Sequence, residues 1–168
     1  MLYLFKINIL ILFAGLFTGC GIYSFSGASI PPEAKTVSVD YFPNNARVFN
    51  PTLSQQITEM LQDKLISQTS LNLTETYGDL SFKGEITDYK VTPVSLVANE
   101  TAAYNRLTIT VKVEFINVYD ENANFNQSFS RYSDFESSRN LTDIEPEIVP
   151  EILELIIEDI FNKAVVNW

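Results

Sequence analysis

The chain has 168 residues, of which 46% are hydrophobic and 19% are charged, which suits one domain with a packed core. Asp and Glu outnumber Lys and Arg by 21 to 11, and the net charge of −10 disfavours nucleic-acid binding because that function needs excess cations. The chain has no His and one Cys, which excludes His-ligated zinc, Ser-His-Asp and Cys-His catalysis, and an intrachain disulfide. We predict neither a metal site nor a catalytic residue.

The first 19 residues are typical of a secretory signal. Lys6 precedes an apolar run from Ile7 to Phe17, which is shorter than the roughly 20 residues that a membrane-spanning helix needs. The small residues Thr18 and Gly19 follow, and then comes Cys20. We therefore predict signal cleavage between Gly19 and Cys20. The alternative is a single N-terminal anchor helix with an incidental cysteine.

Residues 17–20 resemble a bacterial lipobox, with Phe17 at the position that usually holds an aliphatic residue. A lipobox implies a diacylglycerol thioether on Cys20 and a fatty acyl chain such as palmitate on its new amine. Each buried methylene adds about 0.8 kcal/mol, so several chains make a lasting membrane anchor. We expect a signal peptide over 1–19, a lipidated tether over 20–34, one domain over 35–168, and no cofactor beyond this covalent lipid.

The apolar periodicity predicts the order strand, helix, three strands, helix. A strand is expected near residues 37–41 and a helix over about 51–69. Three longer strands are expected over about 80–91, 104–119 and 125–135. The alternation of the last strand breaks at Arg131–Tyr132, which favours a bulge there.

The C-terminal helix is expected to begin near Glu147–Pro150, because a proline deep inside a helix costs about 3 kcal/mol. Both helices carry one apolar stripe. We therefore predict an α+β fold in which two helices pack on one face of a four-stranded, mainly antiparallel sheet.

The strand near residues 104–119 has the clearest alternation in the chain. Its apolar residues form one face, and its polar residues, Arg106 and Lys112 among them, form the other. If Lys83 joins these two cations, a local patch forms that suits anionic lipid headgroups or phosphates. The alternative is ordinary cross-strand ion pairing with Glu85 and Glu114.

Two further features have competing interpretations. Glu85 and Glu114 form a conceivable hydrolytic pair, but solvated surface charge is the simpler interpretation because no pocket marks them. The loop over residues 93–103 is longer than a tight hairpin needs. Its partner-contact candidates are Val94, Leu96, Val97 and Asn99. The alternative is a loop that folds back on its own core.

The sequence GIYSFSG after Cys20, the stretch from Glu85 to Phe115 and the stretch from Gln127 to Ser138 resemble the LptE family of lipopolysaccharide-assembly lipoproteins. This resemblance implies an outer-membrane lipoprotein that faces the periplasm and is not an enzyme. It implies that the protein plugs an LptD-type β-barrel, helps that barrel assemble, and assists delivery of lipopolysaccharide to the outer leaflet.

Some members of this family bind lipopolysaccharide through basic residues, and Arg106 and Lys112 are the positions to which the resemblance carries that role. The alternative function is an auxiliary lipoprotein of another envelope lipid-transport complex. A carboxylate-dependent hydrolase is a third and weaker class.

Overall fold

The computed structural model describes residues 30–48, 50–94 and 103–166. This part of the chain forms five strands and two α-helices. They are β1 (Thr36–Val39), α1 (Leu53–Gln68), β2 (Asn72–Thr74), β3 (Leu80–Val94), β4 (Tyr104–Asn117), β5 (Phe125–Glu136) and α2 (Leu141–Val165). Within these residues, no helix combines the length and apolar character that a membrane crossing requires.

The strands form one sheet in the order β2-β1-β3-β4-β5. Strand β1 is parallel to β2 and β3, whereas β3, β4 and β5 are successively antiparallel. The predicted α+β fold is confirmed, but the sheet has five strands rather than four. The additional strand, β2, has three residues that are not fully buried, so it is too short to show an alternating pattern in the sequence.

The alternation predicted for β4 is confirmed. Every second side chain of this strand is fully buried in the core beneath the helices. These residues are Leu107, Ile109, Val111, Val113 and Phe115. Helix α1 adds a stripe with four-residue spacing, made of Leu53, Ile57, Leu61 and Leu65. Each such side chain contributes roughly 1.5–3 kcal/mol by leaving water, so the two patterns hold the layers together.

Helix α2 begins at Leu141, earlier than the predicted start near Glu147–Pro150. The Asn140 side chain caps this helix by accepting a hydrogen bond of 3.3 Å from the backbone N–H of Thr142. The predicted start was wrong because it gave too much weight to the prolines and too little to this cap.

Pro146 and Pro150 lie inside α2, and both are exposed on its solvent side. A carbonyl that loses its helical partner there can bond water instead. On the opposite side, Ile144 and Ile148 extend the buried stripe toward the N-terminus of the helix. Their burial offsets the cost of the two prolines, so tertiary packing overrides local propensity.

The bulge predicted at Arg131–Tyr132 was also wrong, because the pairing of β4 with β5 is continuous through these residues. Arg131 breaks the alternation for another reason: it lies on the helix side of the edge strand and pairs with Asp159 of α2, Nε to Oδ2 2.6 Å. The register irregularity lies instead in β3, between Ile86 and Asp88.

Gly84 of β3 is a point of close approach. A Cβ atom at this position would lie 2.3 Å from the Phe42 ring and 2.6 Å from the Lys112 carbonyl oxygen. Phe42 is fully buried, so the space that another side chain would need is already filled. Glycine is required here because the segment after β1 runs beside β3, hydrogen-bonded to it at Phe82 and Ile86, and places the Phe42 ring against the Gly84 backbone.

We expect Gly84→Ala to lower the free energy of unfolding by about 1–3 kcal/mol, because the added methyl group forces the Phe42 ring and the β4 backbone to move. Urea denaturation of the folded domain measures this. Thr92→Ala, at an exposed position of the same strand, is the control and should stay within about 0.5 kcal/mol of the native chain. Equal stability of the two variants would contradict the close packing.

Asp79, just before β3, fixes the start of β1. Its Oδ2 atom accepts hydrogen bonds from the backbone N–H of Lys35 at 2.8 Å, the backbone N–H of Thr36 at 2.9 Å and the Thr36 hydroxyl at 2.8 Å. These bonds, led by the one from Lys35, hold the pKa of Asp79 below its usual value of 3.8. The carboxylate therefore connects the first residues of the folded domain to the start of the hairpin formed by β3 and β4.

A carboxyl group whose pKa is lower in the folded than in the unfolded state stabilises the fold above its unfolded pKa, and this contribution disappears as the pH falls through the folded pKa. We therefore expect Asp79→Asn to be less stable than the native chain at neutral pH. The difference should shrink as the pH drops below 3.8. Thermal unfolding across pH checks this, with Asp63→Asn on the exposed side of α1 as control. A difference that is independent of pH would refute it.

Candidate functional site

Both helices pack on one side of the sheet, and the other side is uncovered by the described residues. We call that side the open face. Its outward residues are Lys83, Glu85, Asp88, Lys90 and Thr92 of β3, Arg106, Thr108, Thr110, Lys112 and Glu114 of β4, and Asn126, Ser128, Ser130, Tyr132 and Asp134 of β5. Most of these residues are polar, as the alternation predicted for β4, and Thr110 and Ser130 bond across the face at 2.9 Å. The partly buried Val94, Tyr104 and Ile116 lie on the same side near the strand ends.

Lys83 and Lys112 lie together near one end of the open face. In the register of β3 and β4, Lys83 lies opposite Glu114 and Glu85 lies opposite Lys112. The two lysines are therefore diagonal neighbours, a placement that puts the two residues about 7–8 Å apart. The conceivable hydrolytic pair, Glu85 and Glu114, is thus interleaved with cations, which matches the surface-charge interpretation.

The same four side chains line a shallow depression of about 240 Å³, together with Pro43, Gly84 and Asn126. Among the described residues, neither lysine has a carboxylate within 4.0 Å. Glu85 instead accepts a hydrogen bond of 2.6 Å from the Asn45 side chain. The two ammonium groups are therefore available to an anionic group in the depression.

Arg106 is not part of this cluster. It lies six residues from Lys112 along β4, or roughly 20 Å at 3.4 Å per residue. Its guanidinium forms a two-pronged ion pair with Asp134, Nε to Oδ1 2.7 Å and Nη2 to Oδ2 2.8 Å, and stacks 3.6 Å from the centre of the Tyr132 ring. The structure therefore brings Lys83 and Lys112 together and leaves Arg106 apart.

The pairing of Arg106 with Asp134 is visible in both pKa values. The hydrogen bonds from the guanidinium hold the pKa of the Asp134 carboxyl below its usual value, and Asp134 raises the pKa of Arg106. Arg106 donates to the carboxylate and covers an aromatic face, so its bonding capacity is largely used within the sheet. A ligand that binds this arginine must compete with Asp134.

The remaining predicted site residues lie outside the described part of the chain or at its margin. Val94 is the last residue of β3, is partly buried, and lies opposite Tyr104. Leu96, Val97 and Asn99 of the predicted contact loop fall outside the described residues. So do the predicted cleavage and lipidation positions, Gly19 and Cys20.

The acidic charge of the protein is concentrated on its helical side. Helix α2 carries seven carboxylates and one lysine, and α1 carries two carboxylates and one lysine, so the helices account for −7 of the net −10. Strands β3, β4 and β5 together carry five carboxylates and five cations, so their net charge is zero. An anionic ligand therefore meets the least repulsion at the open face.

Sequence reasoning missed two residues that support this face. Tyr89 of β3 is buried, and its hydroxyl donates a hydrogen bond to Glu145 of α2. Burial, more than this bond, raises the pKa of Tyr89 far above its usual range. Gly84 is one of the residues that line the depression. The Gly84 signal, a glycine inside a strand pattern, is readable from the sequence, but the Tyr89 pair joins residues 56 positions apart and is not.

The described residues contain no group of three or more Cys, Asp or Glu side chains arranged to bind a metal ion. The groups that they present around the depression are two ammonium groups, two carboxylates and an amide, and hydroxyl groups follow along β4 and β5.

Comparison with solved structures gives three lipoproteins as examples of similar chains. A minor lipoprotein from Acinetobacter baumannii is 12% identical, with 76% of this chain and 89% of that chain covered and a TM-score of 0.42. The rare lipoprotein B from Shewanella oneidensis is 12% identical, with 77% and 90% covered and a TM-score of 0.42. Lipoprotein B from Nitrosomonas europaea is 11% identical, with 78% and 81% covered and a TM-score of 0.45.

Comparison with curated proteins gives no match. The family model described as LptE, lipopolysaccharide-assembly, matches residues 34–164. This range includes all five strands and all but the last residue of α2. The match covers the whole folded domain and agrees with the local resemblance of residues 85–115 and 127–138. This chain belongs to the LptE family of lipopolysaccharide-assembly proteins.

Proposed function

We propose that this protein is a non-enzymatic outer-membrane lipoprotein that plugs and helps assemble an LptD-type β-barrel, and so assists delivery of lipopolysaccharide to the outer leaflet. The family match over residues 34–164 is the observation that carries this proposal. The anchor is the lipid on Cys20, and the domain faces the periplasm.

The open face supports the role of a plug. The lumen of a barrel is lined by polar side chains, so a protein that fills it needs a rigid core and a polar outside. The hydroxyl groups of Thr108, Thr110, Ser128 and Ser130 lie on the open face, where they can exchange hydrogen bonds with such a wall. The buried apolar rows behind them keep this surface in shape without contributing apolar area to it.

Lysines 83 and 112 support direct contact with lipopolysaccharide. Phosphate groups favour paired cations, and these two side chains share one depression with the amide of Asn126. We propose Lys83 and Lys112 as the primary contacts. Arg106 takes this role only where a ligand replaces Asp134 as its partner.

We expect Cys20→Ala to leave the precursor uncleaved and to prevent recovery of the barrel with this protein from detergent-solubilised outer membranes. The reason is that both processing and anchoring need the thiol. Mass spectrometry and membrane fractionation measure the outcome. Ser24→Ala, four residues further along the same tether, is the matched control and should behave like the native chain.

Normal processing and fractionation of Cys20→Ala would overturn the lipoprotein proposal. Recovery of an inner-membrane transporter instead of a barrel with the native chain would favour the alternative, an auxiliary lipoprotein of another lipid-transport complex.

The double variant Lys83→Gln, Lys112→Gln should weaken lipopolysaccharide binding roughly 2–30-fold, because two solvent-exposed charge contacts of about 0.2–1 kcal/mol each are lost. Binding to immobilised lipopolysaccharide at fixed salt measures this. Lys90→Gln is the control: this lysine lies on the same face but is paired with Asp88, Nζ to Oδ2 2.8 Å.

The control should change the affinity less than the double variant does. An affinity of the double variant equal to that of the native chain would show that the depression does not bind the ligand.

A further inference from the structure

Three exposed apolar or aromatic side chains lie together at the end of the sheet where β3 begins and β4 ends. We call them the tyrosine patch: Tyr77, Val118 and Tyr119, which are 97%, 64% and 48% exposed. The backbone N–H of Val118 donates to the Asp79 carbonyl at 3.0 Å, and the Tyr119 hydroxyl donates to the Asp79 carboxylate at 3.3 Å. Tyr77 precedes Asp79 by two residues, so all three residues either bond Asp79 or adjoin it in the chain.

Tyr77 is held outward by a costly backbone conformation. Its φ of 55° lies in the left-handed region, which costs a residue other than glycine roughly 1–2 kcal/mol. The neighbouring Gly78 fits tightly, because a Cβ atom there would lie 2.5 Å from the Ser38 backbone nitrogen. The strained backbone therefore directs a whole aromatic ring into the solvent, and backbone strain of this kind clusters at functional positions.

The N-terminal tether enters the domain beside this patch. Lys35, the first residue after the tether, donates its backbone N–H to the same Asp79 carboxylate at 2.8 Å. Ile30, where the described chain begins, lies ten positions after Cys20, and a chain of that length spans at most about 35 Å when fully extended. An anchor at Cys20 therefore keeps this end of the sheet within reach of the membrane surface.

We propose that the tyrosine patch rests in the headgroup layer of the membrane that holds the lipid anchor. This inference rests on the proposed lipidation of Cys20. Tyrosine suits that layer because its ring is apolar and its hydroxyl is polar. Exposed carboxylates accompany the patch at this end of the sheet, on Glu33, Glu75, Asp120 and Glu121. Their charge selects a zwitterionic surface over an anionic one.

The test uses a fluorescent reporter in the full chain. Trp168 is the only tryptophan, so Trp168→Phe removes the background and Tyr77→Trp places the probe in the patch. The chain, purified from membranes, is reconstituted into phosphatidylcholine vesicles that contain brominated lipid as quencher. Tyr41→Trp is the matched control, because Tyr41 is 63% exposed and lies beyond the opposite end of β1.

We expect quenching at position 77 to exceed that at position 41 by about threefold or more, and to fall when half of the lipid is replaced by anionic phosphatidylglycerol. Tyr119→Trp serves as a second reporter in case the variant at position 77 does not fold. Equal quenching at positions 77 and 41 overturns the proposal. So does a probe that is shielded from water only after the barrel is added, since the patch then contacts protein.

Mass spectrometry of the same sample separates this inference from the proposed function. An unmodified Cys20 overturns the lipoprotein function. A lipidated chain whose patch is not quenched overturns only the proposed placement against the membrane.

Discussion

Burial of the sheet on one side only is the constraint on which the rest of the structure depends. Strand β4 lies between β3 and β5, and its inward row is fully buried from Leu107 to Phe115. Because strand side chains alternate with a period of two, this row also determines which residues point outward. A slip of one residue would bury Lys112 and expose Val113. The position of the polar face is therefore a consequence of the packing of the core.

Much of this arrangement is predictable because its signals are local. The five-step alternation of β4 and the four-residue spacing of α1 are each contained in one segment, and both predict the observed face. What the sequence could not show depends on contacts between distant segments. Strand β2 forms because its backbone pairs with the edge of β1. Helix α2 continues through two prolines because Ile144 and Ile148 are buried in the core.

The candidate site divides in the same way. The outward direction of Lys83, Arg106 and Lys112 follows from the period of the strands, and the structure agrees. Their grouping does not follow from it, because it depends on the register between β3 and β4 and on the choice of Asp134 as the partner of Arg106, 28 residues away. The strand period places all three cations on one face. The structure groups Lys83 with Lys112 and leaves Arg106 in a separate ion pair with Asp134.

The net charge of −10 is a poor guide to what this protein binds, because the charge is unevenly distributed. Glu145, Glu158 and Asp159 pair with residues of the sheet or of α1, but the other six helical carboxylates are exposed, beyond a helix about 10 Å in diameter and the sheet beneath it. A ligand at the open face is thus separated from them by more than the Debye length of about 8 Å at physiological salt. At that range the repulsion is mostly screened, whereas Lys83 and Lys112 act at contact distance. The acidic layer then opposes approach from the helical side and leaves the neutral strand layer as the side that an anionic lipid can reach.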